Sequence, residues 1–326
     1  MAFLAQDAAL QQSDAVTALF VGHSYIDMTL ITDVMPSGDE KEVARDFAVS
    51  FGGNSVTAAF ACAKLGFPPD LLTTMSDDWL GQMFWDMARK YGVTLYPRKV
   101  ARSSLSFVLP QGNKRAILRA RDSHHLRPFM KLDVSTYEAL HLDGHQADAS
   151  LYYAKACREA GVLTSLDGGA LRVNTDEVLH YIDVAVVSEA FCGQLKLSAL
   201  ETLAYLKSRG VTVAGVTEGE RGLFWIDEDG HISRMPALHV PDDKVIDTSG
   251  AGDVFHGAYL ASYLKNPKGR WSEHFDFARA ASAFKVQHLG NEVGLPSYED
   301  IAETRRLYPP AEAAAEARDS GSSRRA

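Results

Sequence analysis

Beyond about residue 149, short apolar runs alternate with amphipathic segments, and this alternation limits the possible folds more than any other feature of the sequence. The apolar runs cover residues 162–168, 182–188 and 211–219, and segments with the apolar spacing of a helix lie between them. Strands and helices that alternate at this spacing form βαβ units, which give a mostly parallel sheet with helices on both faces. The sequence therefore predicts an α/β fold.

Two segments, 24–50 and 104–121, are strand-like but do not fit this alternation. The second contains turn residues at 111–114 between two strand-like runs, which predicts a hairpin. We expect these segments to form a small second sheet that acts as a lid. Residues 1–16 are expected to form a loose arm, and the low-complexity residues 309–326 a disordered tail.

Composition narrows the possible partners and compartment. The 33 basic and 42 acidic residues give a net charge of −9, which argues against nucleic-acid binding because that requires clustered lysine and arginine. No uncharged stretch is long enough to cross a bilayer, and the N-terminal residues lack the pattern of a signal peptide. The 3 cysteines are scattered without a C-x-x-C pair, which argues against a disulfide framework and fits a reducing compartment. We therefore expect a cytoplasmic protein without membrane or nucleic-acid partners.

The strongest chemical signal lies in residues 247–264, where a loop of small residues opens an apolar helix after an expected short strand at 244–246. The first amides of a helix are free and carry the positive end of its dipole, so such a loop favours anion binding. Asp253 at the helix start is either a first-turn cap or a base that accepts a proton from a hydroxyl attacking a phosphate. The loop lacks the Walker A pattern, and Phe255 replaces the third glycine of the Rossmann fingerprint.

A second glycine site, Gly52-Gly53-Asn54, opens an earlier helix. Its amides and the Asn54 side chain could bind sugar hydroxyls, or they could form only a tight turn with an asparagine cap. Asp27, five residues after Gly22, could accept hydrogen bonds from two sugar hydroxyls or simply be solvated.

These motifs, in this order, resemble the ribokinase-like (PfkB) family of sugar kinases over about residues 17–308. The resemblance depends on Gly22 with Asp27, Gly52-Gly53-Asn54, Thr217-Glu218-Gly219 with Gly222, and the DTSGAGD sequence of residues 247–253. It implies a ribokinase-like three-layer sandwich with a central, mostly parallel sheet and a small β-sheet lid. It also implies an ATP-dependent carbohydrate kinase that phosphorylates a hydroxyl of a small sugar and uses Mg²⁺.

The resemblance assigns the chemistry to residues 247–253. Asp253 would be the catalytic base, and Asp247 and Thr248 lie where many relatives bind a monovalent cation such as K⁺. Three amides would form an anion hole for the transferring phosphoryl group: those of Gly250, Ala251 and Gly252.

The remaining motif residues divide between the two substrates. The nucleotide site would be lined by Ser188, Thr217, Gly219, Gly222 and Gly290, beside a helix over about 273–288. The acceptor sugar would be held by Asp27, Gly52, Gly53, Asn54 and Thr57.

Two departures from the family pattern affect these assignments. Thr57 stands where relatives such as the ketohexokinases carry a second asparagine, and its hydroxyl has a shorter reach. Many members also carry an N-x-x-E motif that organises magnesium and phosphate, but here Ser188 and Phe191 replace the asparagine and glutamate, and Glu189 is out of register. Metal positioning would then depend more on water and on the nucleotide.

The acceptor site also contains candidate basic residues. Lys41 follows Pro36 at the spacing seen in the sulfofructose kinases of this family, and Arg119 lies on a strand of the expected lid. Both could bind an anionic substituent such as a sulfonate, carboxylate or phosphate, or they could belong to a solvated strand face.

Three further alternatives remain open. The chain could be a nucleoside kinase of the same family, although the polar strand 115–121 is a poor wall for a purine. It could instead be a catalytically disabled sensor of sugar or nucleotide. A homodimer formed through the lid strands would protect their exposed edges.

Overall fold

The fold is built on two sheets, which a computed structural model describes over residues 18–32, 34, 37–111 and 114–310. The large sheet has nine strands in the order β13-β12-β11-β10-β9-β8-β1-β4-β5, all parallel from β11 to β5. Its strands are β1 (Ala18–Gly22), β4 (Asp70–Met75), β5 (Thr94–Lys99), β8 (Ala139–Leu142), β9 (Leu163–Gly168), β10 (Val184–Ser188), β11 (Val213–Thr217), β12 (Leu223–Ile226) and β13 (Ile232–Met235).

Burial on both faces explains why the central strands are continuously apolar. All residues of β1, β4 and β8 are buried, as are the first four residues of β10 and of β11. Such runs suit a parallel sheet covered by helices. At one edge, β12 and β13 form an antiparallel hairpin that turns through Asp229-Gly230.

Helices cover the large sheet in two layers. The helices are α1 (Asn54–Lys64), α2 (Trp79–Lys90), α3 (Ala147–Glu159), α4 (Thr175–Leu179), α5 (Glu189–Leu195), α6 (Ala199–Ser208), α7 (Ala251–Lys265), α8 (Trp271–Lys285) and α9 (Tyr298–Leu307). One buried apolar cluster joins the sheet to α1, α7 and α8, and a second joins it to α3 and α6. The predicted three-layer α/β sandwich is confirmed.

The small sheet is formed by segments 24–50 and 104–121, as predicted. Its strand order is β3-β2-β6-β7, with β2 (Tyr25–Ile31), β3 (Asp46–Gly52), β6 (Leu105–Gln111) and β7 (Lys114–Ala120). Register aligns Asp27 of β2 with Ser106 of β6, and Ser106 with Arg119 of β7, so these three side chains share one face. The movement of this sheet as a lid stays a prediction.

Local differences from the sequence predictions are small. The expected strand at 244–246 is wrong: a 3₁₀ turn covers Asp242–Lys244, since Pro241 begins it at a φ of −59°, and the Ile246 amide then donates to Val286. Residues 1–17, Pro36 and 311–326 lie outside the described residues, so the arm and most of the tail stay predictions. In the described part of the chain, no helix has both the length and the apolar character needed to span a membrane.

Candidate active site

The glycine loop, residues 247–253, leads into α7 at the carboxyl edge of the large sheet. The helix is capped by Gly250, whose φ of 74° is left-handed and therefore favours glycine. The first α-helical hydrogen bond runs from the Val254 amide to the Gly250 carbonyl at 2.8 Å. The amides just before Val254 therefore lie at the open, positive end of the helix, which suits an anion hole.

Asp253 is the third residue of α7, and its side chain is half-buried. Burial and the nearby charges of Asp167 and Asp27 raise its pKa well above the usual range, while Arg115 and Arg119 act in the opposite direction. A carboxylate with a raised pKa is a stronger base than an ordinary aspartate. Asp253 can therefore accept a proton from a hydroxyl held beside the glycine loop.

Asp27 and Asn54 lie around this carboxylate on two other elements. Asn54 is the first residue of α1 and donates from Nδ2 to Oδ2 of Asp167, which is on β9, at 3.1 Å. Asp27 lies on β2 with its carboxylate against the backbone of Gly52, where a Cβ would come within 2.3 Å of it. Burial raises the pKa of Asp27 to about 6, against the lowering effects of the Arg119 charge and of the hydrogen bond from Asn291.

The other predicted sugar residues lie close by. Gly53 is the N-cap of α1. Thr57 is completely buried beside Gly250, and its hydroxyl has no hydrogen-bond partner within the described residues. Lys41 is exposed in the connection between β2 and β3, and its contact with an acceptor stays a prediction.

Two arginines of β7 extend from the small sheet towards the site. Arg115 donates to the carbonyl and hydroxyl oxygens of Thr248, both at 3.3 Å. Arg119 lies over the ring of Tyr25 at 5.3 Å, and its charge lowers the pKa of both Asp27 and Asp253. The structure therefore brings both Arg115 and Arg119 of this basic strand towards the site.

The expected nucleotide residues lie along the carboxyl edge of the large sheet. Ser188 and Thr217 are paired neighbours at the ends of β10 and β11. Ser188 caps α5, since its hydroxyl accepts from the Phe191 amide and donates to the Gly169 carbonyl at 3.0 Å. A 3₁₀ turn, Gly219–Arg221, follows β11, and Gly222 ends it.

Gly290 has contacts other than those expected for a residue that borders adenine. Its amide donates to Asp247 at 3.1 Å, and a Cβ on it would lie 2.6 Å from the Cβ of Ala48 on β3. The next residue, Asn291, donates from Nδ2 to Asp27 at 3.2 Å and to the Phe51 carbonyl at 2.8 Å. The turn after α8 therefore joins the glycine loop to the small sheet.

A group of buried potential metal ligands lies below Asp253. Ligand atoms of His141, Asp167 and His256 are all within 4.8 Å of one another. The Nδ1 atoms of the two histidines lie 3.0 and 2.9 Å from the hydroxyl oxygens of Ser165 and Tyr259 respectively. Burial lowers the pKa of both histidines, so they are neutral at pH 7. None of these histidines was assigned from the sequence, because each lies in an ordinary apolar run.

Comparison with known proteins decides the family. The model of the pfkB family carbohydrate kinases matches residues 17–297. The chain belongs to this family. Its members are phosphotransferases that act on sugar hydroxyls, and the present chain is therefore a carbohydrate kinase.

Two curated relatives are similar to the kinase over most of their length. A ribokinase of Lactococcus lactis is 23% identical over 295 residues, which cover 86% of the kinase and 94% of the relative. A deoxyribokinase of Salmonella typhi is 25% identical over 306 residues, which cover 87% and 96%.

Solved structures show the same fold. A ribokinase of Thermotoga maritima has a TM-score of 0.76 at 21% identity, covering 89% of the kinase and 99% of that chain. A ribokinase of Arabidopsis thaliana, complexed with ribose and ATP, has a TM-score of 0.75 at 22% identity, covering 89% and 98%. A nucleoside kinase of Methanocaldococcus jannaschii has a TM-score of 0.69 at 18% identity, covering 89% and 98%.

Proposed function

We propose that this kinase transfers the terminal phosphoryl group of ATP to a hydroxyl of a small sugar that carries an anionic substituent. The observation that carries this proposal is the position of Asp253. Its carboxylate, with a raised pKa, lies beside the helix-end amides and is reached by the charges of Asp27, Arg115 and Arg119.

The base and the anion hole have separate roles in the proposed reaction. ATP supplies the phosphoryl group and the leaving ADP. Asp253 takes the proton of the attacking hydroxyl, which contributes about 10²–10⁴-fold to the rate. The amides of Gly250, Ala251 and Gly252 stabilise the charge that develops on the phosphoryl oxygens.

The acceptor is held between the small sheet and α1. Asp27 accepts hydrogen bonds from sugar hydroxyls, and Asn54 and the backbone at Gly52-Gly53 complete the site. Asp27 already accepts a hydrogen bond from Nδ2 of Asn291 at 3.2 Å, which orients its carboxylate before the sugar binds.

The arginines of β7 support an anionic acceptor. Arg115 and Arg119 have the same parity on β7, so both face the same way as Asp27, and Arg121 follows directly after the end of the strand. Such a concentration of positive charge on one face is unusual in a chain with a net charge of −9. A sulfonate, carboxylate or phosphate would pair with their guanidinium groups, and Lys41 would add a further charge.

A nucleoside acceptor is the second candidate, because a nucleoside kinase is among the proteins of the same fold. A purine would need apolar or aromatic walls, but Ile117 lies between two arginines on this face of β7. A disabled sensor finds no support, since the base and the glycine loop are both intact.

We also propose how the nucleotide and Mg²⁺ are held. Thr217, Gly219 and Gly222 would contact the nucleotide at the end of β11, with Ser188 beside them. Ser188 is engaged as a helix cap, and Glu189 pairs with Arg221, so neither replaces the N-x-x-E motif. Mg²⁺ would therefore be held mainly by the nucleotide phosphates and water.

A panel of acceptors tests the substrate proposal. ADP release would be measured with neutral ketoses and pentoses, with sugar acids, sulfonates and phosphates, and with nucleosides. We expect the highest kcat/KM for an anionic sugar. Turnover of neutral sugars or nucleosides alone would contradict it.

A matched pair of variants tests the role of the arginine. We expect Arg119→Gln to lower kcat/KM for the anionic acceptor by about tenfold or more, since a charge-assisted hydrogen bond contributes about 1.5–3 kcal/mol. The exposed Arg102 provides the control, and Arg102→Gln should have no effect. An equal loss with neutral and anionic acceptors would exclude charge recognition by Arg119.

A homodimer through the small sheet is proposed on the basis of its outer face. Phe47 and Leu118 are 68% and 72% exposed, and Met28, Leu30 and Phe107 share their side of the sheet. We expect light scattering to show a dimer that Leu118→Glu converts to a monomer. Val173→Glu, at a site that is 97% exposed elsewhere, is the control.

The 3 buried free thiols fit the proposed cytoplasmic location.

A further inference from the structure

Lys285, the last residue of α8, has a completely buried side chain that reaches under the glycine loop. Its ammonium nitrogen lies 3.1 Å from the Asp247 carbonyl oxygen, 3.3 Å from Oδ2 of Asp247 and 3.3 Å from the His288 carbonyl oxygen. An ammonium group has three N–H donors, so each donor has an oxygen acceptor. Lys285 is thus a positive charge enclosed by a carboxylate and two carbonyl groups.

The same oxygen atoms fix the start of the glycine loop. Oδ1 of Asp247 accepts from the Ser249 amide at 2.9 Å, and Oδ2 accepts from the Gly290 amide at 3.1 Å. Burial lowers the pKa of Lys285, and the charge of Asp247 opposes this effect. The ammonium therefore neutralises Asp247 and ties the loop to the turn after α8.

The chain provides space for this lysine at Gly294. A Cβ at that position would lie 2.1 Å from Cδ and 2.8 Å from Cε of Lys285. A larger residue at 294 would therefore displace the aliphatic part of the lysine. The small residue and the buried lysine form one arrangement.

This arrangement disagrees with the expectation that Asp247 and Thr248 bind K⁺. Carbonyl and carboxylate oxygens that surround one positive charge are the ligands that a monovalent cation requires. Here the ammonium group already lies among these oxygens, and a second cation beside it would be repelled. The residues present therefore do not fit a bound K⁺ at Asp247.

We propose that Lys285 is a covalently tethered replacement for a monovalent cation, which positions the glycine loop and makes the kinase independent of K⁺. This proposal rests on the proposed function only for its effect on turnover. Lys285 acts through Asp247 and the loop, so it is a positioning residue and does not touch the reacting atoms.

The test compares the wild type with Lys285→Ala in potassium, sodium, ammonium and choline chlorides at constant ionic strength. We expect wild-type turnover to be the same in all four salts. Lys285→Ala should lose about 10²-fold or more in kcat in choline, which is the effect of losing an anion-hole donor. Addition of K⁺ or NH₄⁺ should raise the kcat of Lys285→Ala at least about tenfold above its value in choline, since the vacated space retains the oxygen ligands.

Thermal melting provides a readout that does not depend on activity. The melting temperature of the wild type should not change between K⁺ and choline, whereas that of Lys285→Ala should fall in choline and recover in K⁺. Lys268→Ala, which removes an exposed lysine, is the control and should show no response to K⁺. A second variant, Lys285→Ala with Gly294→Ser, adds a hydroxyl ligand to the vacated space. Its melting temperature should rise at lower K⁺ concentrations than that of Lys285→Ala alone.

Two results would overturn the proposal. One is activation or thermal stabilisation of the wild type by K⁺, which would show a separate cation site. The other is a folded Lys285→Ala protein that no monovalent cation affects. If Lys285→Ala does not fold, the proposal is tested by the wild type alone, through the effect of K⁺ on its turnover and melting temperature. Absence of turnover with every acceptor would refute the proposed function, while the melting comparison would still test Lys285.

Discussion

The N-termini of α7 and α9 place an aspartate at the same helical position but use it differently. Asp300 is the third residue of α9, and its carboxylate accepts from the amide and hydroxyl of Ser297 at 2.8 and 2.7 Å. Asp253 is the third residue of α7, but the residue before that helix is Gly250, which has no side chain to complete a capping box. One carboxylate stabilises its own helix, and the other forms no capping box.

The difference shows that the residue before the helix decides the role of the acid within it. A serine at the N-cap and an acid at the third position satisfy each other's backbone amides. With glycine at the N-cap, no side chain caps the first amides of the helix, and the Asp253 carboxylate forms no capping box. The same comparison holds for α6, where Ser198 and Glu201 also form a capping box.

The pKa values of Asp253 and Asp300 also shift in opposite directions. Burial raises the pKa of Asp253, whereas for Asp300 the hydrogen bonds from Ser297 outweigh burial and lower the pKa. A carboxyl group with a lowered pKa stabilises the fold when ionised, and one with a raised pKa destabilises it. The carboxyl group of Asp300 therefore adds to the stability of the fold, whereas that of Asp253 reduces it.

The largest expected effect separates the two aspartates by activity. We expect Asp253→Asn to lower kcat by about 10²–10⁴-fold, because the amide cannot accept the proton of the hydroxyl. ATP affinity, measured by calorimetry, should change little. Asp300→Asn, which changes the same residue type at the same helical position, should retain nearly all of the turnover. Comparable losses in the two variants would show that Asp253 is only a structural residue.

A second prediction extends the comparison to Asp27, whose pKa is raised to about 6. If the ionised carboxylate accepts sugar hydroxyls as proposed, acceptor binding should weaken as the pH falls through about 6. Asp27→Asn should weaken acceptor binding by about 10–100-fold, the equivalent of about 1.5–3 kcal/mol for a charged hydrogen bond. It should also remove this pH dependence of the dissociation constant. A dependence that persists in the variant would assign the titration to another group.

The smallest expected effect is a pair of stability changes of opposite sign. Asp300→Asn should lower the free energy of unfolding by about 1 kcal/mol, because it weakens a helix cap. Asp253→Asn should raise the melting temperature at pH 7, because it removes a carboxyl group whose raised pKa costs stability at any pH above its unfolded pKa. Calorimetric melting of both variants beside the wild type measures this pair, and a lower melting temperature for Asp253→Asn would contradict the prediction.

The pH dependence of these changes follows from the direction of each pKa shift. The contribution of Asp300 is present above its unfolded pKa and is lost as the pH falls through its lower folded pKa. The cost of the raised pKa of Asp253 grows as the pH rises above its unfolded pKa, so the advantage of Asp253→Asn should diminish in acid. An advantage that stays constant between pH 4 and 8 would exclude this origin.

The sequence was informative where a short segment determines its own structure. The parallel strands were predictable because burial on both faces makes runs such as Val184–Ser188 apolar. The glycine loop was predictable because its small residues and its helix are adjacent in the chain. The hairpin within 104–121 was predicted from its turn residues and strand pattern.

Partners from distant segments could not be predicted in this way. Lys285 has the sequence context of an ordinary basic residue in the last turn of a helix, and only the packing of α8 against the glycine loop buries it. Asn291 contacts Asp27 across 264 positions of the chain, and Arg115 contacts Thr248 across 133. These contacts depend on topology, which a local pattern does not contain.

The turn at Gly290 and Asn291 couples the position of the glycine loop to that of the small sheet. The Gly290 amide holds Asp247, and the amide and side chain of Asn291 hold Ser50 and Asp27. Adjacent residues are about 3.8 Å apart, so a single peptide unit sets the distance between the points that anchor the glycine loop and the small sheet. A change in loop length elsewhere would leave this spacing intact, whereas one residue inserted here would shift the glycine loop relative to Asp27 and, in the proposed function, separate the base from the acceptor.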